Sequence, residues 1–453
     1  MRQTWIIFTL LVAVACTPAP NTPATTPTTV VLATTAPTQA PPTSPAATIT
    51  PESDSLEAER VAAWREDLHS LASELERRHR NLYWRVTPDE FAGSVAALDD
   101  RIPELTDEQI IVEMERIVAL VDGHTLLPLF QVEVNFQVYP LRFYQFPEGL
   151  YVVAAEPPHE ELVGARVVQI GRLSAAEAFA AVAPLMLHDN DMAVQNFTPA
   201  YLRVPQVLRA LGIIDDLAQP GFVLEQPDGT QTTLNLEPVA AASLHGLEVT
   251  QLPQVEGPLW LSRHAETNFW FTYLEDSATL FIQINSMETE TQSGQNIAAF
   301  AREIKAFAAE HDVERAVIDL RHNPGGDASA ATPVTIVLRS NERLNQPGHL
   351  YVLTSRQTTS GASAYAVVLE RDTQALFAGE ATGGRPNHYA GSTTITLPNS
   401  GIEVWVSTEY YEFSTPDDER AWLAPDLAVT LTAADYFAGR DPVLEAVLAA
   451  NVR

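Results

Sequence analysis

Residues 315–327 read Arg-Ala-Val-Ile-Asp-Leu-Arg-His-Asn-Pro-Gly-Gly-Asp, and this stretch decides the fold. Arg315 to Leu320 has the length and apolar content of a buried strand, and Pro324-Gly325-Gly326 ends it in a turn. The pattern continues on both sides. Thr279 to Ile284 is strand-like, and Ile297, Phe300, Ile304 and Phe307 lie at helical spacing. Downstream, His349 to Thr354 reads as a strand, Ser360 to Leu369 as a helix and Ala375 to Gly379 as a strand. Strands alternating with helices predict an α/β core from Ala278 onward, a sheet covered by helices.

Two segments of this core could carry chemistry. In Asn323-Pro324-Gly325-Gly326-Asp327, paired glycines let backbone N–H groups converge on one point, as an oxyanion hole requires. In Thr358-Thr359-Ser360-Gly361-Ala362-Ser363-Ala364, a strand ends, small residues follow and a helix begins. Ser360 then sits at a helix N-terminus, where free N–H groups and the dipole favour developing negative charge. A lone serine there also reads as a plain N-cap. Thr359 and Ser363 compete with it as nucleophiles.

The chain upstream is helical, then β-rich. Trp64, Leu68, Leu71 and Leu75 form one apolar stripe. Thr87-Pro88-Asp89-Glu90 and Thr106-Asp107-Glu108-Gln109 are capping boxes that open two further helices. The third helix is expected to run to Asp122-Gly123, which puts His124 on a loop at its end. Val132, Val134, Phe136 and Val138 alternate as a half-buried strand does. Leu162 to Ile170, with a helix over Ala175 to Val182, looks like part of a PDZ-like module, and Pro227-Asp228-Gly229 predicts a hairpin turn.

Taken in order, these blocks resemble the C-terminal processing, or tail-specific, proteases and their tricorn-type relatives, whose core is related to the Clp protease and crotonase fold. The resemblance spans Trp64 to Leu448. It rests on His79-Arg80-Asn81-Leu82-Tyr83, Asp122-Gly123-His124-Thr125, the 323–327 turn, the Thr-x-Ser-x-Ala element at 358–362, Gly379-Glu380-Ala381-Thr382-Gly383-Gly384, Leu397 to Gly401, Pro425-Asp426 and Arg440-Asp441-Pro442. It implies Ser360 as nucleophile, with Gly325, Gly326 and Gly361 as oxyanion donors. One branch of the family uses a lysine base about two dozen residues after the serine. That slot falls near Arg385, and arginine stays protonated. The chain has a single lysine, Lys305, before the serine on an amphipathic helix. The tricorn-like branch uses a histidine, here His124, a residue type that can take and return a proton at neutral pH. In that branch a later acidic residue completes the relay. By position it is Glu419, with Asp418 beside it. Ser363 stands where the family often has an acid, and Val121 replaces a common glycine.

Composition bounds the rest. Among 453 residues there are 27 basic and 58 acidic side chains, a formal charge of -31. Such charge argues against nucleic acid, which needs a basic patch. The one cysteine, Cys16, excludes an intramolecular disulfide and a multi-cysteine metal site. Arg2, the apolar run Thr4 to Ala15 and Ala13-Val14-Ala15-Cys16 resemble a bacterial lipobox, with Cys16 lipidated and the protein anchored outside the cytoplasm. Residues 17–51 contain nine prolines, twelve threonines and no charge, a composition that tethers rather than folds.

The expected organisation is a lipoprotein signal peptide (1–16), a Pro/Thr-rich linker (17–54), an N-terminal helical domain (55–130), a β-rich, weakly PDZ-like region (131–260) and a serine peptidase core (261–453). The expected function is a serine endopeptidase acting on peptides or proteins through an acyl-enzyme, without metal or cofactor. A catalytically inactive peptide- or ligand-binding scaffold on the same fold is the alternative, and an esterase with the same nucleophile a third.

Overall fold

The computed structural model describes residues 51–241, 268–291 and 294–450. Cys16, the signal segment and the linker up to residue 50 lie outside the described residues. Contacts divide the chain into two units, Met1–Ala62 and Ala63–Arg453. In the first, the described residues are helical, and Arg60 pairs with Glu57 one turn away at 2.8 Å. Every other feature below belongs to the second. Among the described residues no helix is long and apolar enough to cross a membrane.

The N-terminal helices form where their caps and stripes direct. Trp64, Leu68, Leu71 and Leu75, helical residues of the second unit, are buried. Both threonine capping boxes close reciprocally at the heads of Pro88–Arg101 and Asp107–Val118. The third helix ends earlier than its stripe suggests. Leu120 and Val121 donate to the carbonyls three residues back, at 3.2 and 3.1 Å, so the last turn tightens and frees Asp122 for the following loop.

The alternation at 132–138 does not make a strand; only Gln137–Val138 pairs. Val134 and Asn135 both donate to the carbonyl of Gln131, and Asn135 takes φ +53°. The Gln131 side chain is itself tied to Pro128 and Glu403. These local bonds hold a turn, and Val132 stays 87% exposed. Beyond it lies an antiparallel sheet in the order 141–146, 149–155, 166–170, 222–225, 231–234. The Pro227-Asp228-Gly229 turn joins its last two strands, with Gly229 donating to Gln226 at 2.9 Å.

The C-terminal core is a six-stranded sheet in the order 427–428, 376–379, 350–354, 315–319, 279–284, 269–274. All neighbours are parallel except 279–284 with 269–274. Every residue of Thr279–Ile284, Arg315–Asp319 and Leu350–Thr354 is buried, as expected of strands covered on both faces. One face packs against the helices Ile297–Glu310, Thr332–Arg339 and Ser360–Asp372. The other meets Phe146 and Val153 of the first sheet and the helix Pro442–Ala449. The carboxyl ends of strands 315–319 and 350–354 open into the glycine turn and the Ser360 segment, the edge at which parallel α/β sheets place ligands. Arg321, buried just past the strand, bonds both Asp319 and Asp441, whose carboxylate also caps Pro442–Ala449. Burial pulls this guanidinium's pKa down, but the two carboxylates overcome it and raise it.

Candidate active site

Ser360 opens the helix Ser360–Asp372 with φ +48°, a left-handed value rare for a residue with a side chain. Strain of this kind collects where a side chain must be aimed. The three candidate hydroxyls differ in their commitments. Ser363 Oγ is buried and donates to the Thr358 carbonyl at 2.7 Å, and Thr359 Oγ1 donates to that of Pro324 at 2.9 Å. Ser360, half-buried, makes no side-chain hydrogen bond to any described residue.

The glycine turn lies directly on this serine. A Cβ on Gly325 would fall 2.8 Å from the Cβ of Ser360 and from the amide nitrogen of Gly361, and one on Gly361 would fall 2.1 Å from the Gly326 carbonyl oxygen. Gly325 and Gly326 take φ +120° and +121°. The two chain segments therefore meet backbone to backbone, which only glycine permits. The N–H of Gly325 is engaged with Asn323 Oδ1 at 2.9 Å. Those of Gly326 and Gly361 have no acceptor among the described residues and remain for an oxyanion.

His124 reaches this region through the long hairpin Asn387–Thr396 and Glu403–Glu412. Its loop is shaped by Asp122, whose Oδ1 accepts the N–H groups of His124 and Thr125 and whose Oδ2 bonds buried His79 at 2.6 Å. Burial alone would raise the Asp122 pKa, but the bond to His79 and the neighbouring His124 hold it low. Leu126 then pairs both ways with Trp405, and Thr125 Oγ1 accepts the Ser407 N–H, so the loop is sewn to the hairpin. The other strand carries His388, whose ring stacks on that of His124. That strand leaves Gly383-Gly384, and a Cβ on Gly384 would fall 3.0 Å from the Ser360 nitrogen. The serine helix and the histidine loop thus share one support.

The acidic residues lie differently. Glu419 is exposed, and its backbone carbonyl accepts Arg385 Nη2 at 3.0 Å. Asp418 is clasped by Arg420, which takes its carboxyl down to about 2. Neither carboxylate is within ion-pair distance of His124. Among the described residues, the carboxylate within ion-pair distance of the His124 ring is that of Asp189, with Oδ2 at 3.8 Å from Nδ1. Nothing in the sequence singled it out. Arg385 fills the lysine slot and stacks over Trp84 at 5.5 Å, while Lys305 is exposed on Ile297–Glu310. Among the described residues no three His, Cys, Asp or Glu side chains gather as metal ligands.

Residues 278–429 match the family model described as Peptidase family S41. Among solved structures, mature CPAF complexed with lactacystin superposes with a TM-score of 0.63 at 14% identity, covering 86% of this chain and 98% of that one. Mature CPAF gives 0.59 at 14% identity, over 86% and 96%. At such identity the likeness is one of fold. No curated protein matches the chain.

Proposed function

We propose that the chain is a serine peptidase of family S41, whose model matches residues 278–429, and that Ser360 and His124 hydrolyse peptide bonds through an acyl-enzyme. His124 Nε2 takes the Ser360 proton as Oγ adds to the scissile carbonyl. The N–H groups of Gly326 and Gly361 receive the oxyanion, replacing water by fixed donors. The imidazolium then protonates the departing amine, the C–N bond breaks, and water, activated by the same imidazole, releases the acid and restores Ser360. The observation that carries this reading is the left-handed Ser360, whose hydroxyl alone among three neighbours is uncommitted.

The lipobox-like Cys16 supports a lipid anchor outside the cytoplasm, with the uncharged Pro/Thr segment as tether. A serine-reactive probe on the purified protein tests the chemistry. Labelling should vanish in Ser360→Ala, together with peptide cleavage. Undiminished cleavage by that variant rejects the assignment, and cleavage by neither protein favours an inactive binding scaffold. For the anchor, Cys16→Ala should move the protein from membrane to soluble fraction; retention in the membrane rejects it.

A further inference from the structure

We propose that Asp189, rather than Glu419 or Asp418, is the carboxylate that positions the imidazole of His124. The inference rests on the Ser360–His124 reading. His124 Nδ1 is buried without a hydrogen-bond partner among the described residues, and Asp189 Oδ2 is 3.8 Å from it. A shift of about 1 Å brings the two into hydrogen-bond range, and such bonds are commonly long before substrate arrives.

The approach is built into the backbone. A Cβ on Gly123 would lie 2.2 Å from Asp189 Cγ, so the glycine before the histidine is what admits the carboxylate. Asp189 is 8% exposed, and its neighbour Asn190 nails the loop down. The Asn190 amide donates to the carbonyls of Thr382 at 3.2 Å and Ala421 at 2.7 Å, while its Oδ1 caps the helix Asp191–Tyr201. Thr382 precedes Gly383 and Gly384, which lie against Thr359 and Ser360 respectively. The loop that carries Asp189 is therefore referenced to the nucleophile.

The charges around the pair are consistent with this role. Burial raises the Asp189 pKa, and Asp122 adds to it, whereas His124, Arg385 and Arg85 oppose it. Arg385, at the lysine slot, thus helps to keep a carboxylate ionised instead of acting as a base. Asp122 is occupied by His79 and by the His124 backbone, so it fixes the loop while Asp189 faces the ring. His388 stacks on the remaining face. A proton held on Nδ1 by Asp189 leaves Nε2 as the acceptor for the Ser360 hydroxyl, and the negative charge stabilises the imidazolium that forms.

The test compares Asp189→Asn, Glu419→Gln and His124→Ala in the full chain, with kcat, KM and the pH profile of kcat/KM for one peptide. Asp189→Asn should lower kcat by about 10²- to 10⁴-fold with KM nearly unchanged. It should also move the acid limb to lower pH, because a lost neighbouring charge destabilises the imidazolium. Glu419→Gln should stay within about threefold of wild type. Loss in Glu419→Gln with retention in Asp189→Asn overturns the proposal and spares the Ser360–His124 reading, whereas full activity in His124→Ala overturns that reading. The ¹⁵N spectrum of the wild-type histidines covers the case in which Asp189→Asn does not fold. A neutral His124 protonated on Nδ1 supports the proposal, and one protonated on Nε2 rejects it.

Discussion

The rings of His124 and His388 lie face to face, centroids 5.0 Å apart and planes 10° apart. Two stacked imidazoles cannot both carry a proton cheaply. Burial, with His124 as the next cause, takes His388 down to about 3, and its Nδ1 sits 3.1 Å from the Arg385 carbonyl. His388 is therefore neutral, and it cannot share the proton that the proposed mechanism assigns to its neighbour.

That assignment makes stability depend on pH in a stated direction. The unfolded chain takes a proton on His388 below about 6.5, while the folded chain declines it down to about 3. Stability is thus unaffected by this group above pH 6.5 and falls as the pH drops below it. Urea unfolding at pH 8 and pH 5 should show the wild type losing more than His388→Phe, with a difference on the order of a few kcal/mol. Equal losses would show that His388 already shares a proton in the folded state.

Ser360 gives a stability test of its own. Ser360→Ala keeps the left-handed backbone and its cost, whereas Ser360→Gly removes it. Both variants should be inactive, and the glycine variant should unfold about 1 kcal/mol later than the alanine variant. A glycine variant no more stable than alanine would mean that Ser360 carries no strain.

Glu115 is fully buried, and burial raises its carboxyl well above the usual range despite the Leu127 N–H and Tyr201 hydroxyl that it engages. The folded state then holds a proton that the unfolded state releases near pH 4.5, so stability declines as the pH rises above that value. Glu115→Gln keeps shape and polarity without the ionisation. Its melting temperature should exceed that of the wild type at pH 8 and converge with it near pH 4; a gap that does not close would point to repacking.

Arg321 joins Asp319 to Asp441 immediately before the glycine turn. Arg321→Met leaves two buried carboxylates facing each other, a loss of about 3–5 kcal/mol at neutral pH. Peptide cleavage should fall together with stability, since the same segment leads to Gly325 and Gly326. Chemical denaturation measures the first, and turnover well below the new midpoint measures the second.

Much of this was legible in the primary structure because the signals are local. The stripe of Trp64, Leu68, Leu71 and Leu75, both threonine capping boxes, the buried runs at 279–284, 315–319 and 350–354 and the start of a helix at Ser360 each depend on residues within a few positions. Val132 to Val138 shows where local pattern fails. Its alternation is genuine, but a strand needs a partner, and the bonds around Gln131 hold a turn there instead.

By itself, the sequence determined the α/β core, the serine at the head of a helix and the lack of a lysine where a lysine base would stand. Periodicity, turn chemistry and residue identity suffice for those. Only the tertiary structure decided which hydroxyl is uncommitted, which N–H groups remain for an oxyanion and which carboxylate faces His124. Each of these depends on segments far apart in the chain. Asp189 meets the histidine loop because Gly123 lacks a side chain and Asn190 is tied to Thr382 and Ala421, and no spacing along the chain encodes that meeting.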